Sequence, residues 1–182
     1  MKKVFLVLLV LTVFGATAFA SDLLSYPPPL RPGNILIDVG VGYAFATGSG
    51  ASMVVPPLVL TVEYCLPVGV PISVGGLIGY YQWEWRGAGW VETWSYTTFG
   101  ARANWNWNIN LDWLNLYTGV FVGYTHFSWS ANVAGSEIIA PNYGGVSIGG
   151  QAGARFFFSR NFGAVVELGF PFVAKAGLAI KF

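Results

Sequence analysis

The sequence predicts an all-β protein, an eight-stranded antiparallel transmembrane β-barrel of up-and-down topology, and three observations predict it. Of the 182 residues, 54% are hydrophobic and only 9% are charged, against about 25% charged residues in an ordinary soluble domain. After residue 20, no apolar run approaches the roughly 18 residues that a membrane-spanning helix needs. From Asn34 onward, apolar residues instead recur with a period of two, which is the period of a β-strand.

Residues 1–20 have the pattern of a signal peptide. Two lysines precede an apolar stretch, and an Ala-Phe-Ala triplet ending at Ala20 places small residues where a signal peptidase reads them. We expect cleavage after Ala20 and export of the remaining chain. That remainder has seven basic and eight acidic residues, a balance that does not indicate nucleic-acid binding. Cys65 is the only cysteine, so no intramolecular disulfide can form.

Residues 21–33 are rich in proline and are predicted to be an N-terminal leader before the first strand. The barrel itself is predicted to occupy residues 34–182. Its eight alternating stretches are 34–45, 58–65, 72–81, 99–107, 114–124, 146–158, 162–170 and 174–182.

In each stretch, aliphatic and aromatic residues take one face, and glycine or polar residues take the other. Ile35, Ile37 and Val39, for example, alternate with Leu36 and Asp38.

The charged residues within these stretches test the assignment of faces. Each of them falls on the face opposite the aliphatic residues, and together they are Asp38, Glu63, Arg102, Arg155, Glu167, Lys175 and Lys181. A soluble sandwich or a lipocalin-like barrel would carry many charges on its outer face. Few charges among many glycines and asparagines instead predict a crowded polar lumen. A closed barrel also pairs every backbone amide, as hydrocarbon requires.

The tryptophans lie near the predicted strand ends or in connections, where amphipathic rings prefer the membrane interface. The predicted interface aromatics are Trp83, Trp85, Trp105, Trp107, Trp113 and Trp129. With the N-terminus in the periplasm, the outward connections are predicted near 46–56, 84–94, 127–142 and 170–173. The inward connections are predicted near 66–71, 108–113 and 159–161. Long outer loops and short inner turns are typical of outer-membrane barrels.

The end of the chain carries a recognisable pattern, in which Leu178, Ile180 and Phe182 alternate with small or polar residues. This ending resembles the closing-strand signal that the assembly machinery of bacterial outer-membrane barrels recognises. Together with GARFFFSRNFGAVVELGF at 153–170, it makes the chain over 34–182 similar to the small outer-membrane barrels of the OmpA, OmpX and OmpW kind. The resemblance implies a monomer in the bacterial outer membrane, surrounded by outer-membrane lipids and lipopolysaccharide and inserted by the barrel assembly machinery.

Two functions suit such a barrel. The first is a non-enzymatic anchor for exposed loops, serving envelope integrity or surface interaction. The second is a narrow channel for small apolar molecules. Eight strands leave a lumen just wide enough for side chains to fill, and charges of both signs inside it favour ion pairs over a conduction path. The inward glycines allow either close packing of aromatic rings or a thin apolar cavity.

One enzymatic alternative remains, an outer-membrane lipid A deacylase. His126 and Ser128 are similar to the His-x-Ser pair of that family, and Glu137 could supply a carboxylate. Trp129 departs from the asparagine that the family usually has after the serine, and the segment comes too early in the chain. We therefore expect no enzymatic activity. One histidine, one cysteine and scattered acids predict no metal site and no cofactor.

Overall fold

The computed structural model describes residues 29–44, 50–133, 135–139 and 143–182, and within them the side chains of all residues except Glu137 and Ile139. The predicted signal peptide, its cleavage site and residues 21–28 of the leader lie outside this part. The described strands are β1 (Ile35–Tyr43), β2 (Ala51–Cys65), β3 (Ile72–Gly87), β4 (Trp90–Trp107), β5 (Leu114–Val133), β6 (Ser136–Ile139), β7 (Tyr143–Phe157), β8 (Phe162–Gly169) and β9 (Ala174–Lys181).

Eight of these strands close into an antiparallel barrel. β1 pairs with both β2 and β9, β4 pairs with β5, and β5 pairs with β7, so the sheet closes on itself. The short β6 adds to the outer part of β5 without joining the ring. The predicted fold class is therefore confirmed. Among the described residues, no helix is long and apolar enough to cross a membrane.

Side chains alternate across the barrel wall as the sequence predicts. On β1, Val39 and Val41 point outward with half of their surface exposed, whereas Asp38 between the outward Ile37 and Val39 is fully buried inside. The same alternation holds on β2, where Leu58 and Leu60 are exposed and Thr61 is buried. Outward aliphatic residues thus form the belt that contacts lipid.

The two ends of the barrel differ. At the inner end, which carries the first residue of β1 and the last of β9, short turns at 66–71, 108–113 and 158–161 agree with the predicted inward connections. At the outer end, the turn at 170–173 is short, as predicted.

The other outer connections differ from the prediction, because much of the predicted loop sequence is strand. β2 already begins at Ala51, and β3 and β4 continue until only Ala88 and Gly89 join them. Gly89 has φ +78°, a conformation that glycine adopts without strain in a tight hairpin turn. β5 likewise runs on to Val133 and turns back as β6.

The barrel rim is therefore uneven. β3, β4 and β5 have 16, 18 and 20 residues, whereas β8 and β9 have 8 each. A membrane crossing takes about 9 to 11 strand residues. The long strands have more residues than a crossing needs and extend beyond the short ones at the outer end, and the outer wall they form is open above β8 and β9.

Candidate functional site: the barrel interior and the outer wall

The inner end of the lumen is filled by apolar side chains. Leu30, from the end of the leader, is 2% exposed and packs in a cluster with Leu36, Cys65, Tyr117, Phe157, Val165 and Ala179. The leader is tied down by its backbone, because Gly33 donates a hydrogen bond to the carbonyl of Cys65 at 2.8 Å. The ammonium of Lys181 donates to the carbonyl of Pro29. The described end of the leader thus lies across the inner mouth.

A network of ion pairs occupies the middle of the lumen. Arg155 lies 2.9 Å from Asp38 and 2.7 Å from Glu63, both of which are buried. Arg102 lies 2.6 Å from Glu167 and 3.2 Å from Glu63, so Glu63 joins the two arginines.

The third base of the network is Lys175, which lies 3.4 Å from Glu167. The network therefore joins three acids to three bases, and its formal charge is zero.

Neutral side chains add hydrogen bonds to the network. Ser73 donates to Glu63 at 2.7 Å and Tyr117 donates to Glu167 at 2.7 Å. The guanidinium of Arg155 also lies over the ring of Tyr117, 4.3 Å from its centroid. These hydrogen bonds help to offset the cost of burying the charges, which is roughly several kcal/mol for each ion.

Lys181, the seventh predicted lumen charge, lies apart from this network. It is half-buried at the inner mouth, and its ammonium lies 4.6 Å from the ring centroid of Phe157. The other six predicted charges are all buried and paired with one another.

A second apolar layer closes the lumen above the network. Val59, Leu77, Phe121 and Phe172 form a buried cluster, with Tyr81 packed against it. Phe172 comes from the short β8–β9 turn and fits because Gly79 has no side chain, since a Cβ there would overlap its ring. A Cβ at Gly123 would overlap Phe121 in the same way. Of the two roles that the sequence allowed for inward glycines, the described residues show close packing against aromatic rings.

In the outer wall, the outward and inward faces of the strands exchange their polarity. At the level of the lipid-facing belt, apolar residues point outward and polar residues point inward. Above the belt, polar residues point outward and aromatic residues point inward. Outward positions of β3, β4 and β5 are polar, namely Gln82, Glu84, Arg86, Thr93, Ser95, Thr97, His126, Ser128 and Ser130.

The inward positions form an aromatic face, which we define as Tyr81, Trp83, Trp85, Trp94, Tyr96, Phe127, Trp129 and Tyr143.

The rings of this aromatic face contact one another across four strands. Tyr81 stacks on Tyr96 at 4.6 Å, Tyr96 on Phe127 at 5.7 Å, and Phe127 on Tyr143 at 5.6 Å. Trp94 stacks on Phe127 at 5.5 Å. The row begins beside Phe172 of the lumen layer, 5.9 Å from Tyr81, so the aromatic face continues directly from the closed lumen.

Three of the six predicted interface tryptophans belong to this aromatic face. Trp83, Trp85 and Trp129 lie on the inner side of the extended strands, and Trp83 is only 7% exposed. The strands continue where loops were predicted, so these three residues lie inside the outer wall. The placement of the predicted tryptophans at the membrane interface remains a prediction. Trp105, Trp107 and Trp113 lie near the inner end, and Trp113 is half-exposed.

The sequence contains a signal for the aromatic face, although the rule that polar residues face the lumen does not find it. Alternation with period two continues through YQWEWRG at 81–87, WVETWSY at 90–96 and HFSWS at 126–130. The aromatic residues there occupy the face that is polar at the level of the membrane, so a rule based on polarity ends the strands too early. A rule based only on the alternation of odd and even positions would predict the longer strands.

The strand register places the residues of the deacylase alternative on two strands. His126 and Ser128 lie on the outward face of β5, opposite Thr97 and Ser95 of β4. The backbone of Glu137 lies in β6 opposite Asn132, six residues beyond His126, or roughly 20 Å along the strand. In a Ser–His–acid relay the acid contacts the histidine, and this register places the backbones of these two residues far apart.

At the end of the chain, Leu178 and Phe182 are each 62% exposed on the outward face, with Ile180 half-buried between them. Their recognition by assembly machinery remains a prediction. Among the described residues, no group of three or more histidine, cysteine, aspartate or glutamate side chains could hold a metal ion.

Known structures share this architecture. The crystal structure of Ail, the attachment invasion locus protein of Yersinia pestis, in complex with the heparin analogue sucrose octasulfate has a TM-score of 0.56 at 13% identity. The match covers 84% of this chain and 100% of Ail. A second Ail crystal structure has a TM-score of 0.51 at 15% identity with the same coverage.

The outer-membrane protein OprG from Pseudomonas aeruginosa has a TM-score of 0.48 at 13% identity, covering 88% of this chain and 99% of that protein. No family model matches the sequence, and no curated protein matches it. At identities this low, the two Ail structures show a common fold and nothing about activity.

Proposed function

We propose that this chain, which has the fold of the small eight-stranded outer-membrane β-barrels, is a non-enzymatic outer-membrane protein. In this proposal, a closed lumen anchors extended hairpins on the cell surface. The inner leader, the ion-pair network and the upper apolar layer have no transport role. The hairpins of β3–β4 and β5–β6 carry the surface interaction.

The observation that carries the proposal is the pairing of charges inside the barrel. Six buried charges of net zero form ion pairs with one another, and Arg155 and Arg102 each contact two acids. A water-filled path through them would have to separate these pairs, which are strongly favoured once they are out of bulk water. The apolar layer containing Phe121 and Phe172 adds a second closure above them.

Surface labelling tests the placement of the hairpins. A cysteine replacing Ala88 at the tip of the β3–β4 hairpin would react with a membrane-impermeant maleimide in intact cells, because this tip is exposed. The matched control is Ser159→Cys, which lies in an exposed turn at the opposite end of the barrel. The native Cys65 is fully buried and gives no background.

We expect Ala88→Cys to be labelled in intact cells, and Ser159→Cys only after the outer membrane is permeabilised. Labelling of Ser159→Cys alone in intact cells would mean the opposite orientation. If Ala88→Cys in folded protein stays unlabelled even after the outer membrane is permeabilised, the hairpin tip is not exposed.

A further inference from the structure

Glu92 is an unusual acid in this protein. It lies on β4 directly opposite Trp85 of β3 and Ala131 of β5, on the inner side of the outer wall. Asp38, Glu63 and Glu167 form ion pairs in the lumen, and Glu84 pairs with Arg86 at 2.7 Å on the outward face. Within the described part of the chain, Glu92 has no basic partner, although it is half-buried.

Three tryptophans occupy positions next to Glu92 on the same face of the sheet: Trp85 lies opposite it on β3, Trp94 lies two residues further along β4, and Trp129 lies opposite Trp94 on β5. Trp85 and Trp129 each meet Trp94 at a steep angle, 67° at 5.7 Å and 73° at 6.5 Å respectively. Trp94 itself stacks on Phe127, so one face of its ring is already covered. Trp85 and Trp129 make no stacked contact with another described ring, and both are half-buried. We call Trp85, Trp94, Trp129 and Glu92 the tryptophan corner.

The charge of the corner restricts what can bind it. The inner side of the outer wall, over the residues described, carries Glu92 and no lysine or arginine. An anionic ligand would be repelled there. A hydrocarbon would remove water from the carboxylate without replacing its hydrogen bonds, which is costly.

An organic cation meets both demands, because the faces of tryptophan attract cations and a carboxylate neutralises the charge. Clusters of aromatic ring faces are the usual means by which proteins recognise quaternary ammonium groups.

We propose that the tryptophan corner is a binding site for an alkylated ammonium group of the choline type. The group would lie against the faces of Trp85 and Trp129 with its charge near Glu92. Free small molecules and phosphocholine lipid headgroups both carry this chemistry. The proposal deepens the surface-interaction role proposed above and rests on the outward placement of the hairpin.

Calorimetric titration of the full-length protein with choline chloride tests the site. The protein is reconstituted in phosphatidylglycerol nanodiscs, which contain no ammonium headgroup. We expect saturable binding with a Kd on the order of 1 mM. The uncharged isostere 3,3-dimethyl-1-butanol should bind at least about tenfold more weakly, because it lacks the cation–π attraction.

Two variants with the same chemical change separate this site from the rest of the hairpin. Glu92→Gln should weaken choline binding about tenfold, whereas Glu84→Gln, on the outward face of the same hairpin, should leave it unchanged. Trp129→Leu gives an independent loss if Glu92→Gln lowers the yield of folded protein. Adding phosphatidylcholine to the nanodiscs should reduce the apparent choline affinity if the headgroup of a neighbouring lipid takes the site; an unchanged affinity would assign the site to soluble ligands.

Equal binding of choline and its uncharged isostere would overturn the proposal, as would an unchanged affinity in Glu92→Gln. Binding of maltose but not choline would make the corner a neutral-sugar surface. Because the titration uses purified protein, failure of the Ala88 labelling experiment would refute the surface placement and leave the binding result readable.

Discussion

At the scale of single residues, Arg155 holds the most connected position in the lumen. It is fully buried, pairs with Asp38 and Glu63, and lies over the ring of Tyr117. A buried ion pair adds little stability compared with a well-packed apolar pair, but removing one partner is costly because the other charge stays buried. Asp38 pairs with this guanidinium, and Glu63 pairs with both it and Arg102.

Replacing Arg155 with methionine should therefore destabilise the barrel by about 3–5 kcal/mol, the usual loss when a buried charge is left unpaired. Urea unfolding in lipid vesicles, followed by tryptophan fluorescence, measures it. Arg86→Met is the matched control, because that side chain is 71% exposed in its pair with Glu84 and such pairs contribute at most about 1 kcal/mol. Similar losses in the two variants would contradict the role given to the network.

Glycine positions provide a second prediction at this scale. Gly123→Leu would block a channel if the lumen held a thin cavity, but a Cβ at this position overlaps the ring of Phe121 and the carbonyl of Phe99. We expect the variant to lose folded barrel, seen as loss of the heat-dependent shift in gel mobility. Gly145→Leu, at an exposed strand position with nothing within 4 Å of the added Cβ, is the control and should lose far less. A fully folded Gly123→Leu protein would mean that the position faces open space.

At the scale of elements, the lower parts of the strands were predictable and the upper parts were not. The alternation around Asp38 and Arg102 fixed which face points inward, since charge avoids lipid. The same rule failed above the lipid belt, where water contacts the outer side and aromatic rings such as Trp94 take the inner side. The packing of Phe172 into the lumen also had no sequence signal, because it depends on Gly79, which is distant in sequence.

Extended strands outside the membrane should be dispensable for barrel closure. Replacing residues 84–93 with an Asn-Gly turn removes the upper β3–β4 hairpin but leaves the register from Ile72↔Trp105 to Trp83↔Trp94 intact. We expect this variant to remain folded, with unchanged far-ultraviolet circular dichroism per residue and retained heat-modifiable mobility. Removing 74–78 and 99–103 instead, ten residues at membrane level, should abolish folding. Equal loss in both variants would show that the hairpin is part of the barrel core.

At the scale of the whole molecule, three layers follow one another along the barrel axis. Leu30 and its neighbours fill the inner end, the ion pairs fill the middle, and the cluster with Phe172 fills the top. Each layer uses a different part of the chain, including the leader and the β8–β9 turn. The uneven rim then leaves the aromatic face above these layers, and the proposed anchoring role depends on this arrangement.

Single-channel recording in planar lipid bilayers tests this closure most directly. The wild-type protein, inserted and shown to be folded, should give no steady conductance in 1 M KCl, because the ion pairs and both apolar layers occupy the lumen. A double variant that removes the upper ring and one charge pair, Phe172→Ala with Lys175→Ala, serves as the positive comparison and should give measurable current steps. Steady, uniform conductance steps from the wild-type protein would contradict the closed lumen and favour the narrow channel.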